Sequence, residues 1–272
     1  MRITTWNVQW CRGVDGIVDP ARIADALRQP GSPEVACLQE ISAHYPELAG
    51  GAGEDQSALL QDALPEWEAV AGWAVDVAAA GRVRKRFGNM ILSRLPVGRI
   101  LRHALPWPAS PDVPAMPRSA VEAIVHAPFG PVRVVSTHLE YYSARHRAAQ
   151  IARFAQLHAE WRAERKVISE DGPFRSEPVP ASTVLCGDFN LAPDDRLHRQ
   201  ILDIGFVDAW EALHPGVPHA PTFRVHERDE GESPYCCDYV FVTPDLVPRL
   251  ASIRVDGDTR ASDHQPVTLE LI

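Results

Sequence analysis

The chain has 272 residues, of which 45% are hydrophobic and 23% are charged, and its formal net charge is −9. This composition is typical of a globular protein whose length allows a sizeable core without disulfides or structural metals. The acidic balance argues against binding nucleic acid through a broad basic face. It does not exclude a phosphate-containing substrate, because a bound cation can supply a local positive field.

The sequence shows no targeting or membrane segment. Polar residues occupy the positions where a signal peptide would carry its apolar core, and no apolar stretch approaches the length of a membrane span. The cysteines are odd in number and lack the C-x-x-C spacing, which favours buried free thiols in a reducing compartment. We therefore expect a cytoplasmic protein, and the absence of a clear linker predicts a single domain over residues 1–272.

The first third of the chain predicts strands and helices in alternation. A strand is expected at 2–8 and a helix at 21–27, where Asp19 caps a helix that has Pro20 at its first position. The apolar run at 35–39 is bounded by turn signals and predicts a buried strand. A helix at 56–64 ends at Pro65, and 89–93 is the clearest of several short strands that follow.

The remaining two thirds begin with a proline-rich loop at 106–117 and a hairpin of two strands, 120–126 and 132–137. A long helix starting near Ser143 carries an apolar stripe at helical spacing. We interpret 169–182 as a surface loop and 195–204 as a helix. Further strands are predicted at 184–186, 222–225, 239–243, 252–255 and 266–271. Two packed sheets with outer helices would bury these runs.

Polar and acidic residues recur at the ends of the predicted strands, where rigid elements commonly present a site. The residues concerned are Asn7, Glu40, His138, Asp188, Asn190, Asp238, Asp263 and His264. Taken singly, each has an ordinary explanation as a turn former, a solvated charge or a hydrogen-bonded structural histidine.

Together, these residue types suit phosphoester hydrolysis. Glu40, Asn7 and Asp263 offer the oxygen ligands that Mg²⁺ and Mn²⁺ prefer. A carboxylate such as Asp188 can orient and deprotonate a water, and an amide such as Asn190 can contact a phosphate oxygen without adding repulsive charge. A histidine held by a carboxylate, as His264 could be held by Asp238, is a good cation or proton donor because the carboxylate raises the histidine pKa.

Seven short motifs in this order resemble the endonuclease/exonuclease/phosphatase family of DNase-I-like metal-dependent phosphohydrolases. They run over nearly the whole chain and are TWN (5–7), LQE (38–40), GNMILSRLP (88–96), STHL (136–139), GDFN (187–190), DY (238–239) and SDH (262–264). The resemblance implies an α+β fold, a four-layer αββα sandwich of two mainly antiparallel sheets flanked by helices, with the site at one edge of the sheets.

The resemblance also implies a role for each residue. Glu40 would be the main ligand of Mg²⁺ or Mn²⁺, with Asn7 and Asp263 near the metal. Asp188 would activate or align the attacking water, and Asn190 would position that water or the phosphate. His264, oriented by Asp238, would stabilise the pentacovalent phosphorus, and His138 would contact the phosphate on the leaving-group side. Asn89 would lie in the same cleft.

The sequence leaves three functions open. The first is a phosphodiesterase or nuclease, and the second is a phosphatase or phospholipase-C-like hydrolase of a lipid headgroup or sugar phosphate. The third, a non-catalytic binding module, is disfavoured because every residue that the chemistry needs is present. The loops discriminate poorly: 82–86 is basic, 226–235 is mainly acidic, and 105–108 is a short apolar segment. Arg118, Arg145 and Arg147 are predicted to be solvated or salt-bridged, and Tyr141 and Tyr142 either stack on a substrate or pack under the long helix.

Overall fold

The computed structural model describes residues 1–29, 31–111, 113–164, 179–226 and 233–272. Within these residues the strands are β1 (Arg2–Asn7), β2 (Val35–Ala43), β3 (Glu68–Ala78), β4 (Arg84–Ser93), β5 (Val97–Ala104), β6 (Ser119–Ala127), β7 (Gly130–His138), β8 (Thr183–Asp188), β9 (Val207–Asp208), β10 (Asp238–Val242), β11 (Leu250–Val255) and β12 (Val267–Leu271). The α-helices are α1 (Pro20–Arg28), α2 (Gln56–Ala63), α3 (Ala144–Glu164), α4 (Arg196–Ile204) and α5 (Ala209–Leu213).

The strands form two six-stranded sheets. The first has the order β11-β12-β1-β2-β4-β3, and the second has the order β5-β6-β7-β8-β10-β9. Neighbours are antiparallel except for β1 with β2 and β7 with β8, which are parallel and lie at the centre of their sheets. Each sheet therefore has one central pair of strands whose carboxyl ends lie side by side.

The four layers arise because successive side chains of each central strand point to opposite faces of its sheet. In β2, Val35 and Cys37 face the core between the sheets, whereas Ala36 and Leu38 face the helices. In β8, Val184 faces the same core and Leu185 faces the opposite helical layer. This pattern buries both faces of each sheet and produces the expected four-layer αββα sandwich.

Helices cover the outer faces. Ile23 and Leu60, from α1 and α2, pack on the first sheet, while Phe154 and Ile201, from α3 and α4, pack on the second. The predicted start of α1 is confirmed, since the Asp19 side chain accepts a hydrogen bond from the backbone of Ala21, 3.0 Å away, and Pro20 occupies the first position. The cap satisfies one of the backbone N–H groups that a helix start leaves unpaired.

Most predicted elements are confirmed, with one exception. The strand predicted at 222–225 is wrong: only Phe223 forms isolated bridges there, to Tyr235 and to His264. Residues 165–178 and 227–232 lie outside the described part of the chain, so most of the predicted loop at 169–182 and much of the segment 226–235 go undescribed. All five cysteines are free and buried, as predicted. Among the described residues, no helix has both the length and the apolar character that crossing a membrane requires.

Gly187 allows the two central strands of the second sheet to approach each other beside the GDFN segment. Its φ is +147°, and a Cβ built on it would lie only 1.9 Å from the carbonyl oxygen of Thr137 on β7. Only glycine adopts such a backbone conformation readily. The clashing atom belongs to the backbone of β7, so the clash could not be relieved by moving a side chain.

We predict that Gly187→Ala lowers the free energy of unfolding by about 3 kcal/mol, because strained backbone and a steric clash add together. Gly130→Ala is the matched control, since Gly130 also has a positive φ, +126°, but has nothing within 4 Å of its would-be Cβ. That control should lose only about 1 kcal/mol. Urea unfolding measures both, and equal losses would show that the contact with Thr137 is unimportant.

Candidate active site

The carboxyl ends of the two central parallel pairs meet at one edge of the sandwich. Asn7 ends β1 and Asp188 ends β8 on the opposite sheet, yet the Asn7 Nδ2 donates to Asp188 Oδ2 over 3.0 Å. The same Asn7 nitrogen donates to Glu40 Oε1 of β2 over 3.2 Å. One amide group therefore links both sheets and holds two carboxylates close to each other.

Asp188 is the centre of this cluster and is almost completely buried. Its Oδ1 accepts a hydrogen bond from the backbone N–H of Asn190 over 2.9 Å. Its Oδ2 lies 3.4 Å from His138 Nε2 and 3.7 Å from His264 Nε2, in addition to its contact with Asn7. One carboxylate thus contacts three of the side chains that the sequence grouped with it.

A β-bulge directs Glu40 into the cluster. The pairing of β2 with β4 shifts between Leu38 and Ile41, so that β2 carries one extra residue there. Glu40 within this bulge has φ +61°, a left-handed conformation that is costly for a residue with a long side chain. A bulge of this kind redirects a side chain.

Asn190 follows β8 and also has a positive φ, +50°. Its Nδ2 donates to the carbonyl oxygen of Leu139 over 2.9 Å and lies 3.1 Å from His138 Nε2. With Asn190 as donor, His138 Nε2 is an acceptor, and the proton of the neutral ring resides on Nδ1. Burial, reinforced by the charge of Arg118, lowers the pKa of His138 to about 3, so this ring is neutral at physiological pH.

His264 has the opposite protonation. Its Nδ1 lies 2.8 Å from Asp238 Oδ2, which also accepts a hydrogen bond from Thr222 Oγ1 over 2.6 Å. Burial opposes protonation of His264, but the negative charges of Asp238 and Asp188 outweigh it and raise the histidine pKa to about 10. His264 is therefore a cation at neutral pH, as the pairing with Asp238 predicted.

Glu40 and Asp263 offer the oxygen ligands of a divalent cation. Burial and the negative charge of Asp263 raise the pKa of Glu40 to about 7. Gln9 fixes the second carboxylate, since its Nε2 donates to Asp263 Oδ2 over 2.6 Å, while its backbone N–H donates to Asn7 Oδ1 over 3.0 Å. The burial of Glu40 and its repulsion by Asp263 disfavour its ionisation, and a divalent cation would offset both effects. The oxygen donors of these two carboxylates fit Mg²⁺ or Mn²⁺.

The structure thus brings together all eight predicted residues. Asn89 is adjacent rather than central: its Nδ2 donates to the carbonyl oxygen of Ser119 over 2.9 Å, and it lines a small pocket that His138 also lines. Sequence reasoning missed Gln9 and Thr222, which orient the carboxylates of Asp263 and Asp238. Proximity to known motifs is the only signal for Gln9, two residues after Asn7, and no comparable signal points to Thr222.

The structure shows the surroundings of the arginines and tyrosines near the site, which the sequence alone did not decide. Arg118 is buried and lies 3.5 Å from Glu140, so it is salt-bridged as predicted. Arg147 donates to backbone carbonyl groups at 140 and 141. Tyr141 and Tyr142 are exposed by 45% and 61%, with ring centroids 4.9 Å apart, which excludes packing under the helix.

A family model described as "Endonuclease/Exonuclease/phosphatase family" matches residues 4–264. An alignment 111 positions long is 29% identical to a zebrafish (Danio rerio) protein, DNA repair nuclease APEX1, and it covers 32% of this chain and 36% of that protein's length. The two packed sheets with outer helices define a DNase-I-like fold. The chain belongs to the endonuclease/exonuclease/phosphatase family.

Solved structures support the same assignment. An endonuclease/exonuclease/phosphatase protein from Beutenbergia cavernae matches with a TM-score of 0.73 and 25% identity, covering 100% of this chain and 71% of that one. A 3′ phosphatase from Neisseria, NExo, solved with a product DNA hairpin, matches with a TM-score of 0.64 and 22% identity, covering 100% and 99%. A mannosyl-6-phosphatase from Bacteroides thetaiotaomicron matches with a TM-score of 0.70 and 15% identity, covering 100% and 99%. The last two show the fold alone.

We predict that Asp238→Asn lowers the pKa of His264 from about 10 towards the ordinary histidine value near 6.5. The folded protein binds this proton more tightly than the unfolded chain. The contribution of this proton to the free energy of unfolding is therefore complete below the pKa of His264 in the unfolded chain. It is lost as the pH rises through the pKa of His264 in the folded protein. Side-chain NMR titration of the metal-free protein measures the shift.

Asp245→Asn is the control, because Asp245 is exposed and is not among the groups that shift His264. The control should leave the titration of His264 unchanged. A His264 pKa that stays near 10 in Asp238→Asn would contradict the assignment of Asp238 as its main partner.

Proposed function

We propose that the protein is a divalent-metal-dependent phosphoester hydrolase and that its substrates are phosphodiesters, with nucleic acid the foremost candidate. The observation that carries the proposal is the set of contacts around Asp188 Oδ2, with Asn7 at 3.0 Å, His138 at 3.4 Å and His264 at 3.7 Å. A buried carboxylate that accepts hydrogen bonds from Asn7 and the Asn190 backbone and lies beside a cation suits the orientation of a water for attack on phosphorus.

In this proposal Asp188 orients the attacking water and accepts its proton. The Asn7 amide donates to Asp188 Oδ2 over 3.0 Å, and the cationic His264 lies 3.7 Å from the same oxygen. Asn190 contacts both Asp188 and His138. Its backbone N–H donates to Asp188 Oδ1, and its side chain lies within hydrogen-bond distance of His138. The base is thus fixed in direction before the substrate arrives, which lowers the cost of reaching the transition state.

The two histidines have different proposed roles because their protonation differs. His264, charged and held by Asp238, stabilises the negative charge that develops on the phosphoryl oxygens. His138 is neutral and carries its proton on Nδ1, so it donates a hydrogen bond to the phosphate on the leaving-group side without adding charge.

Glu40 and Asp263 are the proposed metal ligands, with Asn7 close to the metal and holding Glu40 in position. A bound Mg²⁺ or Mn²⁺ supplies charge neutralisation at the phosphoryl oxygens. Gln9 keeps Asp263 directed towards this position, and the bulge does the same for Glu40.

The exposed pair Tyr141–Tyr142, which follows His138 by three residues, supports a substrate with bases, since exposed aromatic rings can stack on them. The partial similarity to a DNA repair nuclease points the same way. The alternative is a phosphatase or phospholipase-C-like activity on a sugar phosphate or lipid headgroup. Trp107, exposed by 53% in the proline-rich loop, favours this alternative if it meets a membrane surface.

Five buried free thiols support a reducing, cytoplasmic location.

We predict metal-stimulated cleavage of phosphodiesters that is removed by a chelator and lost, by at least about 10³-fold in kcat, in Asp188→Asn and His264→Ala. A panel of single- and double-stranded DNA, RNA, phospholipid vesicles and sugar phosphates identifies the substrate. Asp245→Asn is the control and should retain full activity. Absence of metal-dependent turnover on every member of the panel would contradict the proposal, and retained binding without turnover would indicate a binding module.

We further predict that the apparent affinity for Mg²⁺ rises about tenfold per pH unit below pH 7 and levels off above it. The reason is that Glu40, with a pKa of about 7, must lose its proton to bind the cation. Calorimetric titration at several pH values measures this dependence. Glu40→Gln should bind Mg²⁺ weakly at every pH tested, and an equal pH slope in that variant would show that another group titrates.

A further inference from the structure

A second group of metal-ligating side chains lies away from the active site, where α4, β9 and α5 meet the loop that follows α5. His198 comes from α4, Asp208 ends β9, and His219 lies in the loop. The Nε2 atoms of both histidines lie 2.9 Å from the same oxygen, Asp208 Oδ2. Glu211 adds a fourth donor, and the ligand atoms of all four residues lie within 4.8 Å of one another.

The carboxylate of Asp208 is fixed in direction by the start of α5. Its Oδ1 accepts hydrogen bonds from the backbone N–H groups of Trp210, over 2.8 Å, and Glu211, over 3.4 Å. This leaves Oδ2 free to face the two imidazoles. The helix start therefore presents one oxygen in a set position, as metal sites require of their ligands.

The charges of the group also favour a cation. Among the described residues, the ion-pair partners of Asp208 are histidines alone, and Glu211 has no ion pair. With neutral imidazoles the group carries two negative charges and no arginine or lysine to balance them.

A small cavity borders part of this group. It measures about 10 Å³, close to the space of one water or one ion, and Asp208 and His219 both line it. Asp238 lines the same cavity, and its buried Oδ1 has no hydrogen-bond partner among the described residues. An unpaired buried carboxylate oxygen of this kind commonly marks an unseen water or ion.

We propose that His198, Asp208 and His219 bind a zinc-like transition-metal ion through the two Nε2 atoms and Asp208 Oδ2, with Glu211 or a water in the fourth position. Tetrahedral zinc with bonds of about 2.0–2.1 Å separates its ligand atoms by roughly 3.4 Å. The observed 2.9 Å contacts therefore need to open by a few tenths of an ångström. Without metal, each Nε2 carries the proton that it donates to Asp208 Oδ2. On binding, each Nε2 gives up this proton to solvent or to its own Nδ1, each imidazole keeps one proton, on Nδ1, and Nε2 donates its electron pair to the metal.

The position of the site gives it a consequence for the active centre. His219 precedes Thr222 by three residues, and Thr222 donates to the carboxylate of Asp238, which in turn holds His264. A metal that ties His219 to α4 and β9 would fix the loop that carries Thr222. The site would act as a positioning and stabilising element and would not contact the substrate.

Selectivity allows a direct test. Imidazole ligands favour zinc and cobalt, whereas the oxygen ligands at Glu40 and Asp263 favour magnesium. A different group, Asp188 with Cys237 and His264, could also take zinc, so the test uses the full-length Asp188→Asn protein. Zn²⁺ and Co²⁺ are titrated in excess Mg²⁺, with calorimetry, metal analysis after dialysis, the visible absorption of tetrahedral Co²⁺ and the melting temperature as readouts.

One equivalent of Zn²⁺ should bind in the Asp188→Asn background and raise the melting temperature. Adding His219→Asn should weaken binding at least about 100-fold and remove the increase in melting temperature. His198→Asn provides a second test from a separate element. His214→Asn is the matched control, because His214 lies at the end of α5 but bonds the carbonyl oxygen of Ile253 instead.

The proposal is overturned if the Asp188→Asn protein binds no Zn²⁺ in excess Mg²⁺. It is equally overturned if the folded His219→Asn and His198→Asn proteins bind Zn²⁺ as tightly as the protein without these changes. Circular dichroism establishes that each variant is folded before it is titrated. Neither outcome depends on whether the enzyme cleaves phosphoesters.

Discussion

The crowding of negative charge at one edge of the sandwich is the constraint on which the site depends. Asp188 and Asp238 are almost fully buried, and Glu40 and Asp263 lie beside them. Buried carboxylates without partners are costly, because burial and mutual repulsion both disfavour ionisation. The surrounding residues each reduce that cost for one or two carboxylates: His264 for Asp238 and Asp188, Gln9 for Asp263, and Asn7 for Glu40 and Asp188.

For Glu40 the compensation by Asn7 is incomplete. The raised pKa of Glu40, about 7, is the remaining imbalance, and a divalent cation between Glu40 and Asp263 would remove it. Because Glu40 must lose its proton to bind the cation, metal binding and proton release are coupled. The proposed cation would therefore lie where the repulsion between Glu40 and Asp263 remains.

Backbone strain sets the directions of these groups. Glu40 and Asn190 have positive φ values of +61° and +50°, and Gly187 requires a conformation that only glycine adopts readily. Such strain persists where the surrounding structure over-determines it. Here the regular pairing of β2 with β4 flanks Glu40 and resumes at Ile41, and Gly187 lies within the pairing of β7 with β8, which continues to Asp188.

Much of this could be predicted from the sequence, because strand ends are local features. The alternation of apolar residues predicted the buried strands, and the polar residues that follow them predicted the eight members of the site. The supporting residues could not be found in this way. Thr222 lies 16 residues from Asp238, and the strand predicted around it was wrong because Phe223 forms only isolated bridges. The contact follows from the fold, not from any local pattern.

The exposure of Tyr141 and Tyr142 and the convergence of His198 with His219 have the same origin. The local sequence of Tyr141 and Tyr142 suits a core position as well as a surface one, and only the path of the chain into α3 decides between them. His198 and His219 are 21 residues apart and meet only because α4 and the loop after α5 pack on either side of Asp208.

The metal group and the active centre are connected through a single short segment. The chain runs from His219 to Thr222 within three residues, and both ends are held by buried aspartates, Asp208 at one and Asp238 at the other. The two aspartates line one cavity, so a shift of the segment alters the surroundings of both. Because the pKa of His264 depends chiefly on Asp238 once burial is overcome, the position of Thr222 affects the charge state on which the proposed stabilisation of phosphorus relies. The segment therefore links the packing around Asp208 to the carboxylate that holds His264, whether the hydrogen bonds of Asp208 fix it alone or together with a metal.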